Sequence, residues 1–245
     1  MTEQAQTNKV ELTVLYDNEA TDDRYPRGWG FACIVRTNRT LGLFDTGSSG
    51  EVLEEGLQAA GLSPRDVAWV LLSHQHADHT GGLSWLISAN RRVRVYVLAK
   101  FGEELKQSVT ERGATLVELE GAGALAPGVC STGPVTAKAD EQALVLTTTK
   151  GLVVLTGCAH PGLARIVRQA KDLWPGPVDL VVGGFHLKDA TVEATREVIA
   201  ELRSMGVMRV APCHCSGEDA RRLFREAFGS GYVECGAGSM VTAGW

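Results

Sequence analysis

The sequence predicts an α/β sandwich, two sheets covered by helices. Three observations point there. Early apolar stretches are short and separated by turn residues, as in antiparallel strands, whereas the later chain alternates strand runs with helix-length segments. All six histidines fall just after an apolar run, at strand–loop junctions. A length of 245 residues and a hydrophobic content of 44 % suffice for a substantial core, expected as one domain over residues 1–245.

Residues 10–16 read as a first strand, with Glu11 and Thr13 alternating against apolar neighbours. Residues 17–30 are polar and glycine-bearing and read as a long loop, of the kind that borders active sites; its Tyr25 and Trp29 either touch substrate or pack on the surface. Residues 30–36 and 40–44 read as paired strands leading into Asp45-Thr46-Gly47. A helix over 50–60 ends at Gly61 and puts Leu53, Leu57 and Ala60 on one face. A turn at 63–66 feeds the apolar strand 67–72. A short helix over 82–89 follows, then a half-exposed strand over 92–98, where Val93, Val95 and Val97 alternate with Arg94 and Tyr96. Residues 101–108 look helical and 114–119 strand-like. The Gly-, Ala- and Pro-rich stretch 121–136 reads as loops and short strands rather than a linker, and 143–149 with 151–155 as a hairpin. Helices over 163–173, 191–205 and 217–228 then alternate with strands at 178–182 and 207–211, and 232–235 reads as a last short strand.

Composition excludes several classes. A net charge of −5 favours solubility and argues against a nucleic-acid surface. No apolar run approaches the ~20 residues of a membrane helix, and residues 1–9 are polar, without the apolar centre of a signal peptide, so the expected location is the cytoplasm. A chain of this length without an export signal does not need its six cysteines as disulfides. Cys33, Cys130 and Cys235 read as structural, whereas Cys158, Cys213 and Cys215 each lie within two residues of a histidine. The oligomeric state is left open.

The chemistry concentrates in Ser73-His74-Gln75-His76-Ala77-Asp78-His79-Thr80-Gly81-Gly82, on a loop after a buried strand. Neutral imidazoles and a carboxylate suit zinc, and also iron or manganese. Buried beside a strand without partners, such groups would each cost about 1–3 kcal/mol, a penalty that a metal removes. His160, His186 and His214 each follow another apolar run, where sites assemble in layered α/β folds.

His74-x-His76-x-Asp78-His79 resembles the signature of the metallo-β-lactamase superfamily. Thr156-Gly157-Cys158-Ala159-His160, Gly183-Gly184-Phe185-His186-Leu187 and Pro212-Cys213-His214-Cys215 resemble its dihydropterin-ribofuranosyl-aminobenzene-phosphate synthase-like subgroup, and the resemblance covers almost the whole chain. It implies a four-layer αββα sandwich with a metal centre, usually binuclear, at one edge. Residue by residue, it implies that His74, His76 and His160 hold one metal, and Asp78, His79 and His214 a second. Cys158 stands where many members carry a bridging aspartate, so it either ligates as thiolate or leaves the bridge to water. Asp45 would support the ligands from behind, or cap the following helix. His186 has no place in the common ligand set and is expected to face substrate; Cys213 and Cys215 are expected behind the ligands or in the core.

The expected activity is hydrolysis of a small ester, thioester, lactone or phosphoester by metal-bound hydroxide, with Asp78 orienting it or moving its proton. The expected partner is therefore a small-molecule, anionic substrate. Two other readings stay open: a dihydropterin synthase-type transferase, with a phosphate held by Gly47-Ser48-Ser49-Gly50 at a helix start, and a non-catalytic metal or redox sensor.

Overall fold

The computed structural model of the chain describes residues 9–137 and 139–244, so the polar N-terminal stretch lies outside them except for Lys9. Thirteen strands among the described residues form two mixed sheets. One contains β1 (Val10–Tyr16), β2 (Ala32–Thr37), β3 (Leu41–Phe44), β4 (Trp69–Leu71), β5 (Arg94–Leu98), β6 (Thr115–Leu119) and β13 (Met240–Ala243), in the order β13-β1-β2-β3-β4-β5-β6. The other contains β7 (Gly123–Ala126), β8 (Val129–Ser131), β9 (Leu144–Thr148), β10 (Gly151–Thr156), β11 (Val178–Gly184) and β12 (Val207–Cys213), in the order β12-β11-β10-β9-β8-β7. The strands β3 to β6 run parallel, as do β10, β11 and β12.

Alternation along the strands builds the layers. Leu12, Phe44 and Leu71 of the first sheet meet Leu146, Leu155 and Val182 of the second in one buried cluster. The outer face of the first sheet is covered by α1 (Gly50–Ala59), α3 (Leu83–Ala89) and α4 (Glu103–Glu111), through Leu53, Leu57, Leu86 and Val109. Helices α5 (Leu163–Leu173), α6 (Val192–Ser204) and α7 (Glu218–Phe228) cover the second sheet through Ile166, Val167, Leu202 and Phe224. The result is the expected αββα sandwich.

Local chemistry explains the boundaries. Ser49 caps α1, its Oγ accepting the Val52 N–H at 3.3 Å, so Asp45 is free for another task. Two expectations need correction. β5 is not half-exposed: Val95 and Val97 lie under the helices while Tyr96 points between the sheets, because both faces of a central parallel strand are covered. Residues 232–235 form no strand. Val233 donates to the Val210 carbonyl and Glu234 pairs with Arg221 and Arg225, while the uncharged Met240–Ala243 pairs with β1 across the length of the chain.

Close packing between β3 and β4 yields one test. The fully buried Trp69 indole lies over Gly42, its register partner, and a Cβ there would stand 2.0 Å from the ring. Gly42→Ala is expected to cost about 1–3 kcal/mol by overpacking. Gly176→Ala, with nothing within 4 Å, serves as the control in urea denaturation.

Candidate metal centre

The parallel strands deliver the site residues to one edge of the sandwich. Asp45 follows β3; His74 and His76 follow β4; Asp78 and His79 lie on α2 (Ala77–Thr80), one short helical turn. Cys158 and His160 follow β10, His186 follows β11, and His214 and Cys215 form the turn after β12. His79 therefore departs from the expected strand–loop placement, since it sits in a helical turn.

Two donor groups result. Ring nitrogens of His74, His76 and His160 lie within 4.8 Å of one another, and so do the donor atoms of Asp78, His79 and His214. His74 Nε2 faces His76 Nδ1 at 3.1 Å, and His79 Nε2 faces His214 Nε2 at 3.2 Å. Asp78 Oδ2 stands 3.5 Å from His79 Nε2 and 3.6 Å from His214 Nε2. Cys158 Sγ is 3.3 Å from His79 Nε2, and it groups with His74 and His79 on one side and with His214 and Cys215 on the other. Either set could hold a transition metal.

The far side of nearly every ring is occupied. Asp45, fully buried, accepts from Ser73 N, Ser73 Oγ and His79 Nδ1, each at 2.7 Å. The same Ser73 Oγ takes His74 Nδ1 at 2.8 Å. The Asn18 amide donates to the His214 carbonyl at 2.9 Å, which turns its Oδ1 onto His214 Nδ1 at 3.1 Å. Glu141 accepts the backbone N–H groups of Cys158, Ala159 and His160 at 2.8–3.0 Å and His160 Nδ1 at 3.0 Å. These bonds leave the inward nitrogens with their lone pairs.

Charge follows from this arrangement. Burial, helped by repulsion from neighbouring imidazoles, holds His74 down at about 2 and His214 at about 3, so both stay neutral. Burial also pushes His79 down, but Asp45 outweighs it and the ring becomes more basic. Burial pushes Glu141 up, yet His160, His74 and the backbone amides outweigh it and hold the carboxyl at about 2. Buried acceptors that converge without donors between them fit a cation, the test that this donor set passes.

Sequence reasoning missed Asp17, Asn18 and Glu141. Asp17 and Asn18 follow a buried strand, as Asp45 does, and that rule would have found them. Asp17 accepts the His214 N–H at 2.8 Å, and burial pushes its carboxyl up to about 7. Nothing distinguishes Glu141 from its neighbour Asp140 in sequence; only the docking of residues 158–160 selects it. Cys213 lies in the inter-sheet core as expected, but Cys215 stands at the site. Gly157 lets the β10 loop approach, since a Cβ there would lie 2.1 Å from Ser73 Oγ. The Gly47-Ser48-Ser49-Gly50 stretch is an ordinary helix start: Ser49 caps it and Ser48 bonds to the Tyr16 hydroxyl.

Over the donors opens a cleft of about 610 Å³, lined by His76, Asp78, Cys158, His160, Cys215, His186, Trp29 and Lys188 among others. Lys188 Nζ sits 4.9 Å from the ring of the exposed Trp29, whereas Tyr25 is packed away. A larger depression of about 800 Å³, lined by Arg65, Arg91, Arg92 and Arg94, lies at the opposite strand ends and holds none of these donors.

Comparison with known proteins agrees with this geometry. The family model for the metallo-beta-lactamase superfamily matches residues 30–188. A 7,8-dihydropterin-6-methyl-4-(beta-D-ribofuranosyl)-aminobenzene-5'-phosphate synthase from Methanocaldococcus jannaschii is 25 % identical over 244 residues, covering 81 % of this chain and 83 % of its own. A crystal structure of a metal-dependent hydrolase of the beta-lactamase superfamily superposes with a TM-score of 0.79 at 27 % identity, over 95 % of this chain and 98 % of that one. The metallo-beta-lactamase fold protein YhfI from Bacillus subtilis shares the fold, with a TM-score of 0.73 at 14 % identity over 96 % of this chain and 100 % of its own. With a family model that spans well over half of its length and the donors of the signature gathered at one edge of the sandwich, the chain belongs to the metallo-beta-lactamase superfamily.

Proposed function

We propose that this chain is a metal-dependent hydrolase of small, anionic esters, thioesters, lactones or phosphoesters, working as one domain. The observation that carries this reading is the pair of adjacent donor groups under one open cleft. We assign His74, His76 and His160 to one divalent cation and Asp78, His79 and His214, with Cys158, to a second. Zinc suits this nitrogen-rich, sulfur-bearing set best, with manganese or iron as the alternatives. Six free thiols suit the reducing cytoplasm. Among the described residues no helix is long and apolar enough to cross a membrane.

A divalent cation held by these residues would bring the pKa of a bound water down towards about 7 and polarise the electrophile. The protein does the rest. Asp78, half-buried at the cleft floor, orients the attacking water and takes its proton on a carboxylate oxygen that no cation holds. His186, exposed on the wall, donates to the oxygen on which charge develops. Lys188 adds positive charge for an anionic substrate. Asp45, Glu141 and Asn18 hold the ligand rings in the correct tautomer.

A second reading, synthesis of a dihydropterin-linked ribofuranosylaminobenzene phosphate, is favoured by the similarity to the Methanocaldococcus jannaschii protein over most of both chains. The two readings separate cleanly. A hydrolase turns over p-nitrophenyl esters or bis(p-nitrophenyl) phosphate. A synthase ignores both and is protected against thermal unfolding by a 7,8-dihydropterin.

Elemental analysis of purified protein should find one or two equivalents of transition metal, and chelation should abolish ester or phosphodiester turnover. His76→Ala should abolish it as well, with the fold retained by circular dichroism. Metal-free protein with undetectable affinity for zinc would sink the reading.

Glu141→Gln removes the charge that orients His160. It should weaken zinc binding about 10–100-fold in competition with a chromophoric chelator. Because the Glu141 carboxyl is held below its ordinary 4.5, its stabilisation is present above that pH and is lost as pH falls towards about 2. The urea midpoint of metal-free protein should therefore drop over that range, and the variant should show a shallower drop.

A further inference from the structure

Two of the six cysteines are set apart by place. Cys33, Cys213 and Cys235 belong to the inter-sheet core, and Cys130 packs, half-buried, near the second sheet's helices. Cys158 and Cys215 instead line the cleft, each only 4 % exposed. Their sulfurs and a ring nitrogen of His214 all lie within 4.8 Å of one another. The Cys215 thiol also reaches the Cys158 carbonyl at 3.5 Å, which keeps the two loops in register.

Geometry and chemistry agree on what such a trio takes. A tetrahedral zinc site, with bonds of about 2.3 Å to sulfur and 2.0–2.1 Å to nitrogen, spaces its donors roughly 3.5–3.8 Å apart. Donors already within 4.8 Å reach that spacing by small side-chain rotations. Thiolates favour thiophilic cations, and oxygen-seeking manganese or magnesium gains little from them.

We propose that Cys215 joins Cys158 as the sulfur side of the His214 metal position, where with His79 they make four donors and Asp78 is left to act as the base, giving a mixed nitrogen–sulfur site that selects zinc, cobalt or ferrous iron over manganese and magnesium. The proposal rests on the metal-dependent reading above. Each sulfur would bind as thiolate, any proton it carries passing to solvent.

The test uses full-length protein stripped by chelator and reloaded with Co2+ under anaerobic conditions, with bound cobalt counted by elemental analysis. The wild type should show near-ultraviolet thiolate-to-cobalt charge-transfer absorption. Cys215→Ser and Cys158→Ser should each lose about half of that intensity per bound cobalt, and the double variant all of it, while Cys235→Ser leaves it unchanged. Full intensity in Cys215→Ser overturns the proposal. Failure of the wild type to bind cobalt or zinc instead overturns the metal reading beneath it, so the two failures are distinguishable. If a serine variant does not fold, the unmutated protein answers the same question. Zinc should protect Cys215 and Cys158, but not Cys130, from iodoacetamide, read by peptide mass spectrometry; equal alkylation of Cys215 with and without zinc overturns the proposal. Manganese at the same concentration should give no such protection.

Discussion

Two imidazole nitrogens that face each other across 3.2 Å, both rings fixed from behind, are the constraint on which this structure turns. His79 gives its Nδ1–H to Asp45 and His214 gives its own to Asn18, so the two inward nitrogens are left to face each other with their lone pairs whenever the rings are neutral. Brought together in a buried place, such lone pairs repel and lack their water. A cation converts that liability into binding. The same logic repeats at His74 and His76, where Nε2 faces Nδ1.

The groups behind the rings therefore matter as much as the rings. Asp45 ties the end of β3 to Ser73 after β4 and to His79 on α2, so one carboxylate sets three pieces of backbone. Glu141 does the same for the β10 loop by accepting four N–H groups. The backbone at the site is held in costly conformations. Among the described residues, the non-glycine residues with positive φ are Asp45, Ala159, His186 and His214, and all four belong to these loops. Each such position costs on the order of 1–3 kcal/mol and persists only where the surroundings over-determine it. Here the surroundings are the buried carboxylates and the packed strand ends.

Legibility differed by the range of the interaction. The span of β1 and the start and stop of α5 could be read to the residue, because alternation and a Pro-Gly-Pro stop are local signals. The half-exposed reading of β5 failed because coverage of its second face comes from helices elsewhere in the chain. β13 escaped notice because its stability lies in pairing with β1, and four residues are too few to show a period of their own. At the site, the histidines and Asp78 stood out as residue types at telling spacings. Glu141 did not, since a lone acid before a strand is common, and Cys215, though beside His214, was expected behind the ligands or in the core rather than at the cleft.

What the sequence by itself determined is the class of fold and the inventory of ligands: apolar periodicity decides layers, and imidazole and carboxylate chemistry decides that a cation is wanted. What only the tertiary structure decided is how closely those donors gather, which nitrogen each ring presents, and which sulfurs lie beside them. Those depend on distances between loops more than a hundred residues apart, such as His79 and His214, and local sequence carries no information about separations that arise only when two sheets close on a common core.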